Sequence, residues 1–148
     1  MKLVRTHSDN IDFMCLVKKL DAYLKSTDGE EHDFYHQFNA IDLLKQVVIV
    51  YIDDLPVGCG AIKKMDEVSA EVKRMYVSPE YRRKGIAQKI LAQLEVWAKE
   101  LGYKNCILET GKRQVEAVNF YKKCNYKQIK NYGQYKEMQN SICFKKKV

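Results

Sequence analysis

The chain has 148 residues, the usual size of one domain and long enough to bury a core without disulfides or metal ions. Hydrophobic residues make up 46% and charged residues 30%, which excludes the compositions of disordered and membrane-spanning proteins. We therefore expect one globular domain covering residues 1–148.

The formal net charge is +7, and a basic protein can bind nucleic acid through its lysines and arginines. Here the excess is scattered over Lys63-Lys64, Arg82-Arg83-Lys84 and the three lysines at 145–147 rather than aligned on one helix. Scattered lysines are typical of a solvated surface. We expect no nucleic-acid partner.

The cysteine pattern indicates reduced thiols. The five cysteines are odd in number and include no C-x-x-C pair; they are Cys15, Cys59, Cys106, Cys124 and Cys143. No secretory leader precedes them, and no apolar run reaches the roughly 20 residues that span a bilayer. These observations predict a cytoplasmic protein without membrane contact.

The first half of the chain predicts a strand at 2–5, a helix, shorter helical pieces over 32–44 and a hairpin. Ser8-Asp9-Asn10 offers N-caps before an apolar stripe at helical spacing. The β-branched run at 47–52 and the segment 57–62 flank a turn, which is typical of a β-hairpin.

The second half alternates strands and helices. A strand at 70–77 leads through a glycine loop into a helix that ends at Gly102. A strand at 106–109, a helix at 114–123 and strands at 126–130 and 141–146 follow. The predicted order is β-α-α-β-β-β-α-β-α-β-β.

The loop before the long helix has the chemistry of an anion site. Backbone N–H groups at a helix N-terminus attract negative charge, and Gly85 and Ala87 leave room for it. The alternative is a basic loop that faces solvent. Neither a P-loop nor a G-x-G-x-x-G turn is present, and Gly58-Cys59-Gly60 more simply relieves crowding or forms a bulge.

Two motifs together resemble the GNAT superfamily of acetyl-CoA-dependent N-acetyltransferases. The segment 71–77 followed by Arg82-x-x-Gly85-x-Ala87 is similar to motif A of that family, R/Q-x-x-G-x-G/A. The segment 117–126 is similar to motif B, A-x-x-x-Y-x-x-x-G-F, with Asn125 in place of glycine. Asn tolerates the left-handed backbone conformation, so we expect the helix end to be kept.

The resemblance implies an α/β GNAT fold and a cofactor site. The sheet would be mixed but mostly antiparallel, with six to seven strands split at its centre and about four flanking helices. Acetyl-CoA is implied as cosubstrate, with no metal. Its contacts would be Met75, Tyr76 and Val77 for the pantetheine arm, Arg82, Arg83, Lys84, Gly85, Ile86 and Ala87 for the pyrophosphate, and Asn119 and Tyr121 near the thioester.

The resemblance also suggests two catalytic residues. Tyr121 is the candidate general acid toward the departing thiolate, the alternative being a packed ring with its hydroxyl at the surface. Glu71 is the candidate general base, because an amine attacks only when neutral. Its alternatives are a structural ion pair with a neighbouring lysine or binding of the substrate amine without proton transfer.

Several residues are expected near the acceptor. His32, Tyr35 and His36 lie in the segment that lines the acceptor pocket in GNAT relatives, and the alternative for them is a helix face with one buried histidine. The spacing of His32 and His36 is that of a zinc helix, but no third ligand accompanies it. The stretch with Glu109 and Thr110, and the stretch 131–135 with Tyr135, border the open end of the sheet or serve only as turns.

These observations favour an enzyme that acetylates a primary amine of a small molecule, with a protein amine as a subordinate acceptor. A noncatalytic coenzyme A-binding regulatory module is the first alternative, and a basic nucleic-acid-binding domain is the second. Acceptor contacts vary within one fold, so the motifs do not identify the amine. By resemblance we also expect a homodimer.

Overall fold

The structure, a computed structural model, describes residues 1–28 and 43–148. Within them lie seven strands and three α-helices: β1 Lys2–Thr6, α1 Ile11–Asp28, β2 Gln46–Ile52, β3 Leu55–Lys64, β4 Ser69–Val77, α2 Ile86–Glu100, β5 Asn105–Gly111, α3 Val115–Lys123, β6 Lys127–Ile129 and β7 Ser141–Lys147. The expected fold class is confirmed, with three helices in this part of the chain rather than four. The helical pieces predicted over 32–44 fall almost wholly outside the described residues.

All seven strands form one sheet in the order β1-β2-β3-β4-β5-β7-β6. Every neighbouring pair is antiparallel except β4 and β5, which pair in parallel only from Ser69 to Glu71 and from Asn105 to Ile107. Beyond these residues β4 stays on β3 up to Val77, while β5 stays on β7 up to Gly111. The predicted split of the sheet is therefore present between β4 and β5.

Alternation along the strands divides the core between the two faces of the sheet. Val47 and Ile49 of β2 pack with Leu16 and Leu20 of α1 on one face. Val48 and Val50 belong to the cluster on the other face, which contains the apolar side of α2 and part of α3. Helix α1 starts as predicted, because Asn10 Oδ1 accepts hydrogen bonds from the N–H groups of Asp12 and Phe13.

A bulge in β4 accompanies the glycines of β3. The β3–β4 register shifts between Cys59 and Ala61, and Arg74 on the bulged strand has φ of 61°. A Cβ at Gly60 would lie 2.5 Å from Met75 Sδ and 2.8 Å from Ile90 Cγ2. The expected relief of crowding is confirmed at Gly60, whereas the extra residue of this bulge lies on β4 rather than on the glycine-bearing strand β3.

The end of α3 keeps the geometry predicted for Asn125. This residue has φ of 71°, and its N–H donates to the Lys122 carbonyl. The Tyr126 N–H donates to the Tyr121 carbonyl at 3.0 Å. This pair of bonds is a Schellman C-cap, in which asparagine replaces the usual glycine.

Candidate active site

A cleft opens where β4 and β5 part. Residues of α1, β4, β5, α3 with its N-cap, and the loop between β6 and β7 line it: Leu20, Leu24, Glu71, Val72, Lys73, Arg74, Met75, Glu109, Thr110, Gly111, Gln114, Ala117, Tyr121 and Tyr135. Both predicted catalytic residues are in this set. The split of the sheet therefore brings together side chains that lie far apart in the sequence.

Glu71 is the last β4 residue paired with β5, and it is only 4% exposed. Its two carboxylate oxygens have different partners. The Tyr132 hydroxyl donates to Oε2 at 2.6 Å, and the Lys73 ammonium lies 3.4 Å from Oε1 with its side chain 8% exposed. The ion pair with a neighbouring lysine, which was the alternative to a catalytic role, is thus present. Glu71 also lies in the cleft, as a general base must.

Tyr121 reaches the same cleft from α3 and is buried as a whole. Its ring packs against Phe120, Tyr126 and Phe144 at centroid distances of 5.2, 5.9 and 6.2 Å. Burial raises the pKa of its phenol, and the charges of Cys124 and Glu109 raise it further. The hydroxyl therefore stays protonated at neutral pH, as a proton donor must be.

The loop before α2 forms a concave backbone site. Arg83 has φ of 63° and Gly85, the N-cap of α2, has φ of 78°. The first hydrogen bond of α2 is donated by the Lys89 N–H to the Gly85 carbonyl, and no side chain caps the helix. The N–H groups that precede Lys89 at this helix end therefore face outward. A Cβ at Gly85 would meet nothing within 4 Å, which leaves this space open to a ligand. Such a site fits a diphosphate.

The basic side chains of this loop do not act alike. Arg82 Nε donates to the Val77 carbonyl at 2.8 Å, and its guanidinium lies 5.4 Å and 5.7 Å from the ring centroids of Tyr23 and Tyr76. By contrast, the Arg83 side chain is 89% exposed. Arg82 therefore braces the loop against β4 and α1, while Arg83 remains available to a solvent-side anion.

The remaining predicted cofactor residues occupy different environments. Met75 lines the cleft, whereas Tyr76 and Val77 are buried in the clusters on opposite faces of the sheet. Asn119 is exposed on α3 and is not among the cleft-lining residues. From this helix the cleft instead receives Ala117, with Gln114 just before it, and neither was singled out from the sequence.

The expected acceptor residues are placed only in part. Glu109, Thr110 and Tyr135 line the cleft. His32, Tyr35 and His36 lie outside the described residues, so their roles stay predictions. Lys73 is the neighbouring lysine of the alternative hypothesis for Glu71, whereas the contact of Tyr132 with Glu71 was not predicted. Tyr132 is 61 positions from Glu71, and no local spacing signals such a contact.

Within residues 1–28 and 43–148, no group of three or more His, Cys, Asp or Glu side chains is placed to hold a metal ion. None of the helices described there is long and apolar enough to cross a membrane.

Comparison with known proteins agrees with this geometry. The sequence model of the acetyltransferase (GNAT) family matches residues 15–126. The uncharacterised N-acetyltransferase YsnE of Bacillus subtilis (strain 168) is 32% identical over 151 residues, which cover 100% of this chain and 91% of YsnE.

Two crystal structures show the same fold. A candidate acyl-CoA N-acyltransferase from Klebsiella pneumoniae has a TM-score of 0.83 and 24% identity over 99% of this chain and 97% of its own. The PaiA N-acetyltransferase from Thermoplasma acidophilum, in complex with coenzyme A, has a TM-score of 0.73 and 20% identity over 100% of both chains. With the family match, these likenesses establish that the chain belongs to the GNAT family and is an acetyl-CoA-dependent acetyltransferase.

Proposed function

We propose that the protein transfers the acetyl group of acetyl-CoA to a primary amine of a small molecule, with Glu71 as general base and Tyr121 as general acid. The observation that carries the proposal is the presence of a buried carboxylate and a buried phenol in one cleft, at the point where β4 and β5 part. Acetyl transfer to an amine needs a group that accepts a proton and a group that donates one.

The cofactor would follow the split in the sheet. The pyrophosphate would rest on backbone N–H groups of the loop from Arg83 to Ala87, and the pantetheine arm would run beside Met75, Tyr76 and Val77. Within the described residues, this part of β4 has no strand on its β5 side. An extended amide-bearing ligand can occupy such an edge as an added strand.

The two side chains would divide the proton transfers. Bound acetyl-CoA supplies the acetyl group as a thioester, whose C–S bond breaks as the C–N bond to the acceptor forms. Glu71 takes a proton from the acceptor ammonium, directly or through water, and so generates the neutral nucleophile. Tyr121 donates its proton to the departing sulfur and recovers one from the acylated nitrogen. The products are the amide and the coenzyme A thiol, and the proton on Glu71 returns to water.

The shape of the cleft favours a small acceptor. Leu20 and Leu24 supply apolar walls, while Glu109, Thr110 and Tyr135 supply polar groups within the same concavity. Small-molecule sites have this combination of apolar lining and a few convergent polar groups. An amine on a small molecule can enter such a cleft and contact both the apolar walls and the polar groups.

The test is release of free thiol from acetyl-CoA with a panel of small primary amines and a lysine-containing peptide. We expect turnover with a small amine and its loss in Glu71→Gln at acidic and neutral pH. Glu67→Gln is the matched control, because Glu67 is an exposed carboxylate that pairs with Lys64. Turnover of the peptide alone would replace the small-molecule acceptor by a protein amine. Binding of acetyl-CoA without turnover of any amine would favour the noncatalytic module.

A further inference from the structure

The loop between β6 and β7 is joined to Glu71 by one short hydrogen bond. Tyr132 lies in this loop, and its hydroxyl donates to Glu71 Oε2 at 2.6 Å. A hydrogen bond from a phenol to a buried carboxylate is charge-assisted and fixes the orientation of both groups. While this bond holds Oε2, Oε1 is the oxygen that faces an ammonium group, that of Lys73 at 3.4 Å.

The loop is itself held in place. Asn131 Nδ2 donates to the carbonyl oxygens of Met138 at 3.0 Å and Ser141 at 3.1 Å, which closes the loop on itself. The Tyr132 ring meets the cleft-lining ring of Tyr135 edge to face, with centroids 5.8 Å apart and an interplanar angle of 88°. The Tyr132 hydroxyl is therefore preorganised rather than carried by a free chain.

The remaining oxygen of Glu71 already accommodates a primary ammonium. Lys73 Nζ lies 3.4 Å from Oε1, inside the cleft that the acceptor would enter. The geometry at Oε1 is thus suited to the approach of an amine, while Oε2 is held from the other side. The two oxygens of one carboxylate therefore have different partners.

We propose that Tyr132 is a positioning residue for amine deprotonation: it holds Glu71 through Oε2 and directs Oε1 toward the acceptor. This inference rests on the proposed role of Glu71 as base. A neutral phenol that donates to a carboxylate stabilises the ionised form relative to the protonated form. Loss of the hydroxyl therefore makes protonation of Glu71 easier.

Other charged and titratable groups face Glu71 as well, and the Tyr132 variant leaves them in place. Lys63 of β3 is its partner in the strand register, and Lys73 lies on β4 itself. Glu109 of β5 and Tyr135 of the loop line the same cleft, and α1 contributes Leu20 and Leu24. Cys143 of β7 lies close enough to Tyr132 to raise its pKa, after the larger effects of burial and Glu71.

The experiment compares Tyr132→Phe with wild type by two readouts. In the protein without cofactor, the carboxyl carbon of Glu71 is titrated by ¹³C NMR, and we expect its midpoint to rise by about one to two pH units. In the active enzyme, the midpoint of the acidic limb of the kcat/KM profile should move to higher pH by the same amount. At pH values below this midpoint, kcat/KM of the variant should therefore be about 10- to 100-fold lower than that of wild type, and it should recover at higher pH.

Two further variants make the result specific. Tyr51→Phe removes a phenol that donates to the Asp12 carboxylate at the same distance, 2.6 Å, at the start of α1, and it should leave both midpoints unchanged. Asn131→Ala keeps the Tyr132 phenol but frees its loop, and it should shift both midpoints in the same direction as Tyr132→Phe.

The outcomes separate this inference from the proposed function. Unchanged midpoints in Tyr132→Phe, with activity still lost in Glu71→Gln, would overturn the positioning role and leave Glu71 as base. Full activity in Glu71→Gln would overturn the base itself. A lower rate in Tyr132→Phe that is equal at every pH would indicate a merely structural role and would also overturn the inference.

Discussion

The Arg82 guanidinium donates a 2.8 Å hydrogen bond to the Val77 carbonyl, so the first basic residue of the proposed cofactor loop is turned back onto the strand that precedes it. Arg83, its neighbour, is almost fully exposed and lies 3.6 Å from the equally exposed Glu116. Adjacent arginines of one motif thus serve different purposes, since one holds the loop and the other meets solvent.

This difference predicts separable effects on stability and binding. Arg82→Met removes a hydrogen bond from a charged donor, and we expect a loss of about 1.5–3 kcal/mol in unfolding free energy together with weaker acetyl-CoA binding. Arg83→Met should weaken binding in a salt-dependent manner without lowering the melting temperature. Thermal unfolding and calorimetric titration at two salt concentrations measure both effects. Equal melting temperatures for the two variants would contradict the bracing role of Arg82.

A second prediction concerns Gly85, where the backbone is left-handed and the space around a Cβ is open. Gly85→Val should leave the protein folded, at a cost of at least about 1–2 kcal/mol for a side chain at positive φ, and should abolish acetyl-CoA binding. Gly102→Val is the matched control, because Gly102 also has positive φ and open space but lies at the far end of α2. Circular dichroism and calorimetric titration distinguish the two. Undiminished binding in Gly85→Val would place the diphosphate elsewhere.

A third prediction concerns alkaline pH. Burial raises the pKa of Cys59 and of Cys106 from 9.0 to about 12, and the charge of Glu95 contributes at Cys106. Because the folded pKa is the higher one, these thiols stabilise the fold fully below pH 9, and this contribution is lost as the pH rises from 9 toward 12. In that window each buried thiol should lower the unfolding free energy by about 1.4 kcal/mol for each pH unit.

Urea unfolding between pH 9 and 10 measures this slope. Cys59→Ala should make the decline of unfolding free energy with pH shallower, since one of the two buried thiols is gone. Cys15→Ala, which removes an exposed thiol, should leave the slope unchanged. A wild-type protein equally stable at pH 9 and pH 10 would show that these thiols do not control alkaline stability.

Local signals in the sequence were sufficient to predict most of the described elements and the conformation of the glycine loop before α2. The cap at Asn10, the helix end at Asn125 and the glycine loop at Gly85 each depend on residues within a few positions of one another. Such features are encoded by backbone preference and short-range hydrogen bonds, so their prediction needs no tertiary contact.

Contacts across the fold were not predictable in the same way. The Arg82 side chain turns toward Tyr23 of α1, and Glu71 meets Tyr132 of a distant loop, so both contacts depend on the completed sheet. Helical periodicity alone, however, distinguishes the residues of α3 that face the cleft from those that do not. Ala117 and Tyr121 are four positions apart and share one helix face, whereas Asn119 lies two positions from Tyr121 and points elsewhere. The exposure of Asn119 follows from this spacing.

The last prediction concerns the leaving thiolate and the buried phenol of Tyr121. A proton donor that acts only as negative charge develops on sulfur lowers the barrier without strengthening ground-state binding. General acid catalysis contributes about 10²- to 10⁴-fold, so Tyr121→Phe should lower kcat by about that factor when chemistry limits the rate. The KM for acetyl-CoA should change far less.

The acidic limb of the pH profile separates this residue from Glu71. Tyr121→Phe should keep the limb in place, because the base is intact, whereas Glu71→Gln should weaken it. Tyr103→Phe, between α2 and β5, removes a phenol that is not among the cleft-lining residues and should retain the wild-type kcat. Single-turnover measurements with a competent amine isolate the chemical step. Full kcat for Tyr121→Phe under those conditions would remove the phenol from the mechanism and leave the ring as part of the packing with Phe120, Tyr126 and Phe144.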